Sequence, residues 1–262
     1  MKKAIFLLLM CTWPLASNGA NSTTLDAARA LFKQRCALAG ERIHRVAKDV
    51  EGVLLMKLRP QTINYGDQFR LDDPYGRDYG GEGYIESFLQ AHHELPVEMA
   101  RLRGHTPTPR AQIGYAFVET ENPKDGQRHR YTATIEQPGK TNPNYIMDYV
   151  RVIVTSVPSI GQAPRYGVTY EDISTPEDRK FWIAGSSLKV IDTLTNEVIG
   201  ERVGYMMDLG QGSKGGGRSP WLIAAHNACP AFDGINPKVP QGGQTVRFVE
   251  KVLQPHSRSM PF

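Results

Sequence analysis

Apolar residues at Leu25, Ala28, Leu31 and Phe32, continued by Arg35, recur at the spacing of one helix face. The pattern predicts a helix over 24–38. Thr24 is placed to cap it, Asp26 suits its positive end, and Gly40 suits its stop. The period then changes. Val53, Leu54, Leu55, Met56 and Leu58 form a short apolar run that Pro60 closes, which predicts a strand over 50–58. Tyr84, Ile85, Phe88 and Leu89 return to helical spacing, and Pro96 suits the first turn of a second short helix that Gly104 ends.

From about residue 111 the pattern is that of strands. The segments 113–120 and 129–136 flank Asn122-Pro123-Lys124-Asp125-Gly126, a turn cluster, and read as a hairpin. Val150, Val152 and Val154 alternate along 149–157, and 166–170 is expected to return beside it. A second hairpin is predicted from 182–193 and 197–207 around Thr195-Asn196. Ser219 and Pro220 then open a C-terminal helix. The fold class expected is α+β: an antiparallel β-meander sheet with an N-terminal helix, a short helical pair and a C-terminal helix. No low-complexity linker divides 21–262, so one globular domain is expected, helical over 21–105 and sheet-rich over 110–262.

The first twenty residues change how the rest is read. Met1-Lys2-Lys3 precedes an apolar run over 4–11, and small residues fill 16–20, the layout of a secretory signal peptide. The run is about half the ~20 residues that span a bilayer, so export without a stable membrane anchor is expected. Met10, before Cys11, is too large for a lipidation signal. Loss of Lys2 and Lys3 takes 31 basic residues to 29, against 27 acidic ones. That balance offers nucleic acid no electrostatic attraction. Cys11 leaves with the signal, and Cys36 and Cys229 are expected to bond in an oxidising compartment.

Several motifs resemble known chemistry and fail on context. Gly210-Gln211-Gly212-Ser213-Lys214-Gly215 is a G-x-G-x-x-G, but the strand before it belongs to a hairpin and no acidic residue ends a following strand. The stretch reads as a flexible connector, with a backbone-amide anion site near Lys214 and Arg218 as the alternative. Ser186-Ser187-Leu188-Lys189 matches the S-x-x-K nucleophile motif, yet strand alternation puts Ser186 and Lys189 on opposite faces. Asp67, Asp72, Asp73, Asp78 and Glu82 gather among glycines without the spacing of a calcium loop.

The recognition residues expected are Tyr75, Arg77, Tyr79 and Tyr84, because aromatic loop residues anchor interfaces well. The expected function is an exported, periplasmic, non-catalytic binding or envelope-accessory protein, an inhibitor or immunity role being one form. Its partner would be a protein or an envelope component, and no cofactor is expected. The competing expectation is a periplasmic hydrolase of envelope material, with or without a metal ion, using His226, Asp73 and Glu82. Its metal version would draw on Cys36, His44, His226 and Cys229, a two-cysteine, two-histidine set suited to zinc.

Overall fold

The computed structural model describes residues 19–61, 78–90, 111–112, 114–136, 138–145, 151–232, 242–256 and 258–259. Helix α1 (Gly19–Cys36) leads into β1 (Gly40–Ile43), β2 (Ala47–Val50) and β3 (Gly52–Leu55), and helix α2 (Glu82–Gln90) follows. Strands β4 (Ala111–Gln112), β5 (Phe117–Glu121), β6 (Arg128–Glu136), β7 (Arg151–Pro158) and β8 (Tyr166–Asp172) come next. The short helix α3 (Pro176–Lys180) precedes the long pair β9 (Ile183–Asp192) and β10 (Glu197–Met207). Helix α4 (Pro220–Ala224), β11 (Ala228–Cys229), helix α5 (Gln244–Val252), β12 (Leu253–Pro255) and β13 (Arg258–Ser259) complete the order. The predicted helical segment after Pro96 lies outside the described residues.

The fold is α+β, but its sheet is mixed rather than a meander. The strand order is β1-β10-β9-β8-β3-β5-β6-β7, with β11 added beside β10. Two antiparallel blocks, β1-β10-β9-β8 and β5-β6-β7, are joined by β3, which runs parallel to both β8 and β5. The reason is visible in β3 itself. Val53 and Leu55 are shielded from water on one face and Leu54 is half-buried on the other, and strands covered on both faces read as continuous rather than alternating. Gly52 lets β3 and β5 lie close together, since a Cβ there would lie 2.3 Å from the Phe117 ring.

Strand β8 does not return beside β7, contrary to expectation. It pairs with β3 and with β9, as in Leu55↔Val168 and Val168↔Val190. Gly167, Val168 and Tyr170 are buried, which requires neighbours on both sides, whereas the second half of β7 is exposed.

Alternation along β9 and β10 sorts the two faces of the sheet. Ile183, Val203, Tyr205 and Met207 meet Ala28 of α1 on one side. Leu188 and Val190, with Val53, Leu55 and Val168, meet Phe88 and Leu89 of α2 and Val246, Val249 and Val252 of α5 on the other. Gly200 lets α5 sit down on the sheet, since a Cβ there would be 2.6 Å from the Val252 side chain. The helix expected to begin at Ser219 is the five-residue α4, and the longer C-terminal helix is α5.

Cys36, the last residue of α1, is bonded to Cys229 with an S–S distance of 2.04 Å. Cys229 lies on β11, opposite Tyr205, and not on a helix with His226. Pro230 explains this, because the residue before a proline is pushed out of the helical region.

The two sulfurs are 193 residues apart in the chain, and closing so long a loop stabilises by about 5 kcal/mol in the chain-entropy model. Cys229→Ser is therefore expected to lower the melting temperature by roughly 10 °C. A calorimetric scan with a shift under about 2 °C would remove the staple from the stability of this fold.

Candidate functional site

Helix α5 begins without a cap of its own. Its N-cap residue is Gly243, in the left-handed region at φ 76°, and no neighbouring side chain answers the first amides. Asp78 supplies what is missing from 165 residues away. Its carboxylate accepts the Gly243 amide at 2.5 Å and the Thr245 amide at 2.8 Å. The Thr245 hydroxyl in turn accepts from Arg59 at 3.2 Å, and the Arg59 guanidinium lies 4.1 Å from the centre of the Tyr170 ring and 5.3 Å from that of Tyr84. A negative group at a helix N-terminus and a cation over two phenol faces are both favourable.

This anchor fixes the next residue, Tyr79, whose own amide donates to Asp78 at 2.8 Å. Tyr79 and the outer side of α2 enclose a cavity of about 190 Å³, lined also by Gly83, Glu86, Ser87 and Gln90. The lining sets the Tyr79 ring beside the Glu86 and Gln90 side chains, which are hydrogen-bonded to each other. Burial pushes the Tyr79 phenol above its ordinary value, and the carboxylates of Asp78 and Glu86 add to that, while Arg247 opposes it. Drug-sized ligands occupy roughly 300–1,000 Å³. The cavity is therefore the size for one inserted side chain rather than a whole substrate.

On α5, Glu250 shares the influence of Arg247. Its Oε1 is buried and has no hydrogen-bond partner, and burial pushes its carboxyl up to about 7 against the opposing Arg247 charge.

The residues expected from sequence divide into several groups. Tyr79 lines the cavity. Tyr84 does not belong to an interaction surface, because it is 0% exposed and stacks edge-on against Phe88 at 5.3 Å. The helical spacing that placed Tyr84 on the apolar face of α2 was the correct signal. Tyr75, Arg77, Asp67, Asp72 and Asp73 lie outside the described residues.

Glu82 opens α2, which packs on β5, β6 and β7, whereas His226 follows α4, which packs on β10. Strands β9, β8 and β3 lie between those places, so His226 and Glu82 are not brought together. The zinc set does not assemble either. Both of its sulfurs are in the disulfide, and the His44 amide bonds Ile199, six positions along β10 from the Tyr205 that faces Cys229. That separation is about 20 Å along a strand.

The glycine stretch is not a loose connector. Asp208, at the end of β10 and closed to solvent, accepts the Gly210 amide at 3.1 Å and the Gly212 amide at 2.8 Å, and it pairs with Arg218. Gln211 donates to the Phe181 carbonyl at 2.8 Å. The amides that would have greeted a phosphate are turned onto the chain's own carboxylate. An acid followed by glycines at the second and fourth positions was the readable clue. Ser186 and Lys189 stand three apart on β9, with Lys189 paired to Glu171 on the face away from Leu188.

Comparison with protein-family models, with curated proteins and with solved structures returned no match.

Tyr79→Ala is expected to cost under about 1 kcal/mol, while Tyr84→Ala, which empties a core position, is expected to cost about 3–5 kcal/mol. Chemical denaturation distinguishes them, and equal losses would place Tyr79 in the core. Glu250 gives a pH signature. Its folded value near 7 lies above the unfolded value near 4.5, so the folded state holds the proton more tightly between them. Stability is then greatest below about pH 4.5 for this group and is lost as pH rises through 7. Glu250→Gln is expected to be more stable than the wild type by on the order of 2–3 kcal/mol at pH 8 and nearly equal to it at pH 5. Parallel denaturation at the two pH values checks this, and the same difference at both would refute it.

Proposed function

We propose that the chain is an exported binding protein of the cell envelope, an accessory, inhibitor or immunity-type component that engages a protein or envelope partner without catalysis. The observation that carries this reading is the cavity beside Tyr79. At about 190 Å³ it suits a single projecting side chain, and its wall combines an aromatic ring with the Glu86 carboxylate and the Gln90 amide. That combination favours a basic residue of the partner, held by charge at Glu86 and by contact with the Tyr79 ring. Tyrosine at such a place adds contact area for little conformational entropy.

Export is supported by the Cys36–Cys229 bond, since such bonds persist in oxidising compartments. No helix among the described residues is long and apolar enough to cross a membrane.

The test is a photo-reactive phenylalanine analogue at position 79, irradiated in intact cells that express and export the chain. One discrete adduct is expected, and it should weaken at least about tenfold with Glu86→Lys, in line with loss of a charge-assisted contact of ~1.4 kcal/mol or more. The same probe at Leu209, exposed near the other end of the sheet, should give no such adduct. Identical products at both positions, or none at 79, would end this reading.

A further inference from the structure

The two outer strands of the main sheet are unlike. β1 is four residues long and carries Glu41 and Arg42, which pair with Lys251 and Glu201. A short, charged edge strand resists further pairing. β7 is eight residues long, and its interior reads Val152-Ile153-Val154-Thr155-Ser156-Val157, with no charge, glycine or proline. Among the described residues only β6 pairs with it.

The backbone shows which groups are left over. Ser159 donates its amide to the Arg128 carbonyl at 2.8 Å, and β6 and β7 continue from there in unbroken antiparallel register. Alternation then turns Ile153, Thr155 and Val157 toward β6 and points the amides and carbonyls of Val152, Val154 and Ser156 outward. The side chains around that edge are open to water: Val154 is 37% exposed, Val157 60% and Ile160, just beyond, 98%. A long, regular, uncharged edge of this kind is ordinarily covered.

We infer that β7 is a homodimer interface, at which two copies of the chain pair their β7 strands antiparallel about a two-fold axis through Val154. In that register Val154 faces its own copy and Val152 faces the partner's Ser156, so the outward donors and acceptors all meet. Arg151 at the start of the strand faces the partner's Val157, and the two arginines stay at opposite ends. Like charges, the usual device against self-pairing, are therefore absent from the seam. The arrangement also closes. The dimer's outer edges each carry the short, charged β1 and the two-residue β11 beside it, so growth stops at two copies.

The test uses the mature full-length chain in sedimentation velocity over a concentration series, with three variants. The wild type is expected to dimerise. Ser156→Pro removes an outward amide and no bond to β6, so it should raise the dimer dissociation constant at least about tenfold while keeping the melting temperature that the wild type has at concentrations where it is monomeric. Thr155→Pro, which removes a bond to β6, should lower the melting temperature and serves as the control. Val154→Cys should form an intermolecular disulfide on mild oxidation, because residues in a hydrogen-bonded antiparallel pair sit about 5.5 Å apart at Cα, within disulfide reach. A monomeric wild type overturns the inference. So does a dimer that survives Ser156→Pro, a Val154→Cys dimer that fails to crosslink, or assembly into open filaments.

Discussion

A single carboxylate, that of Asp78, joins two segments that lie 165 residues apart in the chain. It lies just ahead of α2, and it caps α5 through the amides of Gly243 and Thr245. Helix α5 opens on a left-handed glycine with no side chain to offer its first amides, and those amides cannot be buried unanswered without cost. Asp78 thus ties the start of α2 to the start of α5 on one face of the sheet, and Arg59 extends the same junction to Tyr170 of β8 and Tyr84 of α2. The Tyr79 cavity inherits its shape from this junction. Its aromatic wall is one peptide bond from the capping residue.

The same device recurs wherever distant segments meet. Asp178 is closed to solvent, pairs with Arg35 of α1 at 2.7 Å and accepts the Thr175 amide at 2.8 Å, so that one residue caps α3 and ties it to α1. Asp192, equally buried, receives Arg45 and Arg165, and these two guanidinium groups hold its carboxyl far below the usual carboxylate range. Glu119 on β5 takes Arg130 of β6 at 2.8 Å and the hydroxyl of Ser159, just past β7, at 2.8 Å, so it ties both segments to β5. Buried pairs of this kind add less to stability than their geometry suggests, because taking the charges out of water offsets much of the attraction. Here each also fixes where one segment crosses another.

Local pattern was legible in the sequence, and long-range order was not. The hairpins around Asn122–Gly126 and Thr195-Asn196, the apolar face of α2 and the Cys36–Cys229 pair all follow from spacing, turn chemistry or cysteine number. Position within the sheet does not. The run Val53–Leu55 announces a strand, but nothing near it says that its neighbours come more than sixty and more than a hundred positions later. Helix α5 was missed because its cap sits on another segment, although Val246, Val249 and Val252 carried the period. The candidate site was half legible. Tyr79 was expected on aromatic character, whereas Tyr84 shared that character and turned inward, since residue type does not report which side of α2 a ring occupies.

The place of β3 bears on how the chain assembles. Strands β8, β9 and β10, and likewise β5, β6 and β7, follow one another closely in the chain, and short loops close sooner than long ones. β3 precedes both of these runs in the chain, yet it belongs between them, paired with β8 on one side and β5 on the other. Those two runs are therefore expected to pair early, with β3 joining them once both exist. Until then the apolar run of β3 lacks both of its sheet neighbours, and Val53 and Leu55, shielded from water in the finished fold, stay open to it.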